Sequence, residues 1–116
     1  MFIKIIFVTF LVSGPLLAQT QSEMTEIALQ DFKKADQKLN LVYQKLLKKG
    51  DKASDEKLKA AQRAWLTFVD LHMAYLFPLK EGENPRQVYG SAYPMDVAIE
   101  KTAIFKARIF QLEGSE

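Results

Sequence analysis

The sequence predicts an all-α fold, a small antiparallel helical bundle made of a long helical hairpin plus a C-terminal helix after a long loop. Apolar residues recur at alternating steps of three and four along most of the chain, which is the period of one helix face. A short break around Gly50 divides the first helix from the second, as is typical of antiparallel neighbours. A segment rich in glycine and proline at residues 79–93 then precedes a third helical stretch.

The first 18 residues have the order of a secretory signal peptide. A short basic start leads into the apolar run from Ile5 to Val12, the helix-breaking Ser13-Gly14-Pro15 follows, and Ala18 offers a small residue for cleavage. The apolar run is too short to span a bilayer. We therefore expect a periplasmic or secreted domain at residues 19–116 whose mature form does not span a membrane. The alternative is an uncleaved N-terminal tether.

The first helix of the mature domain is predicted from Met24 to Gly50, about 40 Å long at roughly 1.5 Å per residue. Its inward positions recur at helical steps and include two predicted core residues, Phe32 and Leu39. Gly50 is a natural C-terminal stop. The full inward stripe consists of Ala28, Phe32, Ala35, Leu39, Val42 and Leu46.

The second helix is predicted to begin at Ser54 as its N-cap and to end before Pro78. Trp65 and Phe68 are predicted core residues, with Trp65 the largest. The alternative for Trp65 is a platform on which a ligand stacks. The predicted inward stripe is Leu58, Ala61, Trp65, Phe68, His72 and Tyr75.

Residues 79–93 form the only long irregular segment that the sequence predicts, and the third helix follows from Met95 to Leu112. A long loop in a compact domain is usually functional or disordered. This one carries hydrogen-bond donors and rings suited to a partner surface. The alternative is an ordinary crossover whose tyrosines pack on the core. The candidate partner-binding residues are Lys80, Arg86, Tyr89, Ser91 and Tyr93.

Composition argues against catalysis, metal binding and nucleic-acid binding. The chain has no cysteine and one histidine, His72, so a zinc or copper site lacks ligands and no disulfide forms. Ser91 lies outside any nucleophile elbow, and there is no phosphate-binding glycine loop. Removing residues 1–18 takes away one lysine and no acid, so the net charge falls from +2 to +1. We expect no catalytic residue, no metal and no cofactor, and a function in protein binding.

Three stretches carry a family resemblance: residues 31–43, the run Leu-Lys-x-Ala-Gln-Arg-x-Trp-x-x-Phe-x-Asp at residues 58–70, and Gly-Ser-Ala-Tyr-Pro-Met at residues 90–95. With them the chain resembles the lysozyme-inhibitor LprI-like family of small bacterial envelope proteins, over about residues 24–108. The resemblance implies a helical domain outside the cytoplasm and, for the namesake, lysozyme inhibition. Members usually carry cysteines near the positions of Ile27, Met73 and Glu100, so the fold here depends on packing alone. An arginine commonly stands where this chain has Val69.

The sequence and the resemblance together favour a lysozyme inhibitor that docks through residues 79–93. One alternative is an immunity or chaperone-like module for another envelope protein. A second is a structural domain that binds anionic cell-envelope polymers through a lysine-rich hairpin tip. That tip carries Lys45, Lys48, Lys49, Lys52, Lys57 and Lys59.

Overall fold

The computed structural model describes the backbone of residues 2–114 and the side chains of residues 20–114. It contains four helices, which are α1 (Phe2–Lys49), α2 (Lys52–Leu76), α3 (Pro85–Tyr89) and α4 (Tyr93–Glu113). These residues form no strand, so the all-α prediction is confirmed. Within the part of the chain whose side chains are described, no helical stretch is long and apolar enough to cross a membrane.

The predicted signal peptide at residues 1–18, with its cleavage after Ala18, lies outside the residues whose side chains are described. The backbone of α1 continues through Ser13-Gly14-Pro15, so the helix break predicted there is wrong.

The connection between α1 and α2 is tighter than the sequence predicted. The N–H of Gly50 donates to the Leu46 carbonyl at 3.0 Å, and Asp51 is already the N-cap of α2. The Asp51 carboxylate accepts the backbone N–H of Ser54 at 2.8 Å. The prediction that Ser54 is the N-cap is therefore wrong, since both residues can cap but Asp51 comes first. The backbone N–H and hydroxyl of Ser54 lower the pKa of Asp51 below its ordinary value of 3.8.

The three long helices form an up-down-up bundle in which α1 and α4 run parallel and pack most extensively. Phe32 of α1 meets Phe105 of α4 with ring centroids 4.9 Å apart. Further along both helices, Lys38 forms an ion pair with Glu113 at 3.8 Å. The antiparallel α2 joins through Trp65, whose ring lies 4.8 Å from Phe105. Phe105 therefore contacts aromatic residues of both other long helices.

The buried core is centred on α1 and α4. Phe32 and Trp65 are half-buried and pack against it, and Leu39 lies within it. Phe68, however, is 51% exposed, so the prediction that it belongs to the core is wrong. The core cluster consists of Ala35, Leu39, Val42, Val69, Phe105, Ile109 and Leu112.

The inward face of α2 is rotated from the predicted stripe. Leu58, Trp65, Val69 and Met73 face the core, whereas Phe68 and Tyr75 of the predicted stripe are exposed. Both stripes have helical spacing. Contact with α4 selects the stripe through Val69 and Met73, because the free energy of burial depends on the side chains that lie opposite.

Contact with Arg108 of α4 gives a structural role to Gln62, one residue of the motif at residues 58–70. The Nε of Arg108 donates to the Gln62 side-chain oxygen at 3.1 Å, and its guanidinium lies 6.0 Å from the centroid of the Trp65 ring. Partial burial lowers the pKa of Arg108. The group stays charged, since arginine is not deprotonated in proteins. Gln62 thus holds a cation over the tryptophan where α2 meets α4.

Candidate functional site

The segment between α2 and α4 is more ordered than the predicted irregular loop. Asn84 caps the short helix α3, its side-chain oxygen accepting the Arg86 N–H at 2.9 Å, and Pro85 occupies the first turn. The sequence carried both signals, because asparagine at an N-cap and proline just after it favour a helix start. Five residues are too few to show a helical period, so the helix was missed.

A tight turn precedes α3. The Glu83 carboxylate accepts the Lys80 backbone N–H at 2.6 Å, and the Glu83 N–H donates to the Lys80 carbonyl at 3.1 Å. Gly82, inside the turn, has a φ of +80°, a conformation that favours glycine. These bonds fix the backbone of Lys80 while its side chain remains exposed.

An aromatic cluster of Phe77, Tyr89 and Tyr93 folds the segment back onto the end of α2. The Phe77 ring lies edge-on to both tyrosines, at 5.4 Å from Tyr89 and 5.5 Å from Tyr93. The two tyrosine rings stack at 5.7 Å. The Tyr89 hydroxyl also donates to the Pro78 carbonyl at 2.5 Å. All three rings are half-buried, so this cluster supports the segment from beneath.

The structure separates the five candidate partner-binding residues into two groups. Lys80, Arg86 and Ser91 are exposed, whereas Tyr89 and Tyr93 belong to the aromatic cluster. The Ser91 hydroxyl accepts a hydrogen bond from the Gln21 side chain at 3.3 Å, which ties the segment to the start of the described part of α1. The packing alternative therefore describes the tyrosines, and the surface alternative describes the other three residues.

Sequence reasoning missed three residues of this site. Leu79 and Val88 are exposed apolar side chains on the same segment, and Phe77 completes the aromatic cluster. Phe77 directly precedes the proline that marks the end of α2, but nothing in the local sequence indicates that its ring meets two tyrosines. The exposed side chains of the segment thus combine two cations and two carboxylates with apolar groups.

The remaining candidates lie elsewhere. His72 of α2 is half-buried, its ring 5.4 Å from Phe68 and 6.1 Å from Tyr75. His72 is therefore a packed, half-buried side chain outside the core cluster. Within the described residues, no group of three or more histidine, cysteine, aspartate or glutamate side chains is placed to hold a metal. The exposed lysines of the hairpin tip include Lys48, Lys52 and Lys57.

Fold and site together define a small all-helical domain that presents a pre-organised segment at one end of its bundle. A family model described as lysozyme inhibitor LprI matches residues 16–112, and the chain belongs to that family. The resemblance seen in the sequence is thereby confirmed. The family description is that of an inhibitor and not of an enzyme. No curated protein and no solved structure matches the chain.

Proposed function

We propose that this protein is exported and inhibits a lysozyme by docking the segment of residues 79–93 against the enzyme. Family membership supports the class of partner. The observation that carries the choice of surface is the rigid mounting of this segment. The aromatic cluster packs beneath the segment, and the hydrogen bonds that Tyr89 and Gln21 donate stabilise its two ends.

Rigid mounting favours tight binding because less conformational entropy is lost when the complex forms. A glycosidase cleft of this kind carries two carboxylates that flank the scissile bond. Lys80 and Arg86 are exposed cations that can approach such carboxylates, and Arg86 offers planar bidentate donors. Leu79 and Val88 add apolar area beside them. Tyr89 and Tyr93 act as supports for these four residues.

The test compares two double variants in a cell-wall turbidity assay with chicken-type, invertebrate-type and goose-type lysozymes. Lys80→Ala/Arg86→Ala removes the proposed contacts. Lys33→Ala/Arg63→Ala removes one lysine and one arginine from exposed positions outside both the segment and the hairpin tip and serves as the matched control. We expect the first variant to weaken inhibition at least about tenfold, roughly 1.4 kcal/mol, and the control to change it little. Circular dichroism checks that both retain the wild-type helix content.

Three experimental results would each contradict a different part of this proposal. Absence of inhibition of all three lysozymes by the wild-type protein would remove the inhibitor function and favour an immunity or chaperone-like role. Inhibition that survives the segment variant but disappears when Lys48, Lys49 and Lys52 are neutralised would move the site to the hairpin tip. Binding to isolated anionic envelope polymer, lost steeply with added salt, would favour the structural alternative.

A further inference from the structure

A second surface lies in the groove between α1 and α4, and none of its lining residues comes from α2. Two adjoining cavities of about 420 and 440 Å³ make up the groove, and Asp31 lines both. Along α1 the groove runs from Met24 to Lys38, which is about 21 Å at roughly 1.5 Å per residue. The groove is therefore long enough for four helical turns.

The lining residues of α4 lie on one face of that helix, and two of them, Thr102 and Ile109, are already buried in this structure. On α4 they fall at alternating steps of four and three, the pattern by which helices pack side by side in bundles. Since α1 and α4 run parallel, the lining face of α1 and that of α4 flank one continuous groove. The lining positions of α4 at these steps are Met95, Ile99, Thr102, Lys106, Ile109 and Glu113.

The two halves of the groove differ in chemistry. One half is apolar and open to solvent, with Ile27 60% and Ile99 52% exposed. Met24 and Met95 also line it, and methionine adapts its shape to different partners. Exposed apolar side chains that adjoin one another mark interaction surfaces.

The other half is basic. Lys34, Lys38 and Lys106 line it beside Phe110, which is 81% exposed. Two carboxylates, Asp31 and Glu113, also line this half, so its three lysines outnumber them by one, and Glu113 pairs with Lys38 at 3.8 Å. Lys34 and Lys106 remain as the cations that an incoming acidic group would meet.

We propose that this groove binds an amphipathic helix of another protein, apolar in one half and acidic in the other. Charge complementarity selects this occupant. A second copy that covered the whole groove by twofold symmetry would place either the apolar half of one copy on the lysines of the other or the lysines of one copy on those of the other. An acidic helix instead meets Lys34 and Lys106 with opposite charge while its apolar half covers Ile27 and Ile99.

The probe is a labelled synthetic peptide of about 20 residues, roughly 30 Å when helical. One half of the peptide carries leucines at helical spacing, and the other half carries glutamates. Two versions are made, one with the acidic half at the N-terminus and one with the acidic half at the C-terminus. A matched peptide carries lysines in place of the glutamates. Fluorescence anisotropy with protein produced from the complete chain measures binding. We expect one of the glutamate peptides to bind at least about tenfold more tightly than its lysine counterpart.

Two pairs of variants locate the binding. Ile27→Gln/Ile99→Gln should abolish it, whereas Leu41→Gln, at a 70% exposed leucine of α1 outside the groove, should not. Lys34→Glu/Lys106→Glu should reverse the preference toward the lysine peptide. Lys33→Glu/Lys57→Glu repeats the charge change at exposed positions that line neither cavity and should leave the preference unchanged. Thermal melts confirm that each variant is folded.

Equal binding of the two kinds of peptide, binding indifferent to the isoleucine changes, or no binding would each overturn the proposal. Sedimentation that showed wild-type dimers, lost in Ile27→Gln/Ile99→Gln, would assign the groove to a second copy and also overturn it. The isoleucine variant should still inhibit lysozyme as the wild type does. Loss of inhibition in that variant would show that the groove belongs to the lysozyme surface and not to a separate partner.

Discussion

Replacing Phe105 by alanine should remove a large part of the stability of the bundle. The side chain is 7% exposed and lies edge-on to Phe32 at 4.9 Å and to Trp65 at 4.8 Å, so it joins the three long helices. Truncation of a buried phenylalanine costs about 3–5 kcal/mol, and each edge-to-face pair accounts for about 0.5–1.5 kcal/mol of that loss. Domains of this size have a total unfolding free energy of about 5–15 kcal/mol.

Urea denaturation gives the measurement, followed both by far-ultraviolet circular dichroism and by the emission of Trp65, the only tryptophan. Because Trp65 contacts Phe105 directly, its emission should also shift in the folded variant. Phe105→Leu keeps most of the apolar volume and should cost less than about 1.5 kcal/mol.

Phe110 provides a matched control on the same helix. Its side chain is 81% exposed, so Phe110→Ala should change stability by no more than about 0.5 kcal/mol. A loss below about 1 kcal/mol for Phe105→Ala, or an equal loss at the two positions, would refute the assignment of Phe105 as the residue that joins the helices.

Three further outcomes are expected. Trp65→Ala should cost about 3 kcal/mol in the same titration, the low end of the range for a buried aromatic because this ring is half-buried. Asp51→Ala should destabilise the protein at neutral pH. Because the folded pKa of Asp51 is depressed, the difference from wild type should persist above 3.8 and shrink as the pH falls through the folded value, and a difference independent of pH in thermal melts would contradict this. N-terminal sequencing of periplasmic protein should begin close to Gln19, whereas cytosolic protein with Met1 intact would argue against export.

The sequence predicted residues 79–93 as the candidate site, but it did not show which side chains of this segment are exposed and which pack beneath it. Lys80, Arg86 and Ser91 are exposed, as a partner surface requires. For Tyr89 and Tyr93 the sequence allows both a partner surface and packing on the core, because the local sequence around an aromatic residue between turn formers does not indicate which way its ring points. Their roles depend on Phe77, which reaches them only after the segment folds back on α2.

The sequence by itself determined the helical class, the hairpin break at Gly50, the end of α2 before Pro78 and the family. These features depend on local causes, namely the helical period, the geometry of glycine and proline, and a motif formed by residues close together in the sequence. Locally determined features need no knowledge of what lies across the bundle.

The tertiary structure alone decided which side of α2 is buried and that α4 lies parallel to α1. Two apolar stripes with the same helical period run along α2, one through Trp65 and Val69 and the other through Phe68 and Tyr75. Periodicity cannot choose between them, because the free energy of burial depends on the side chains opposite. Here Phe105 of α4 packs against the Trp65 ring, and that contact leaves Phe68 in solvent.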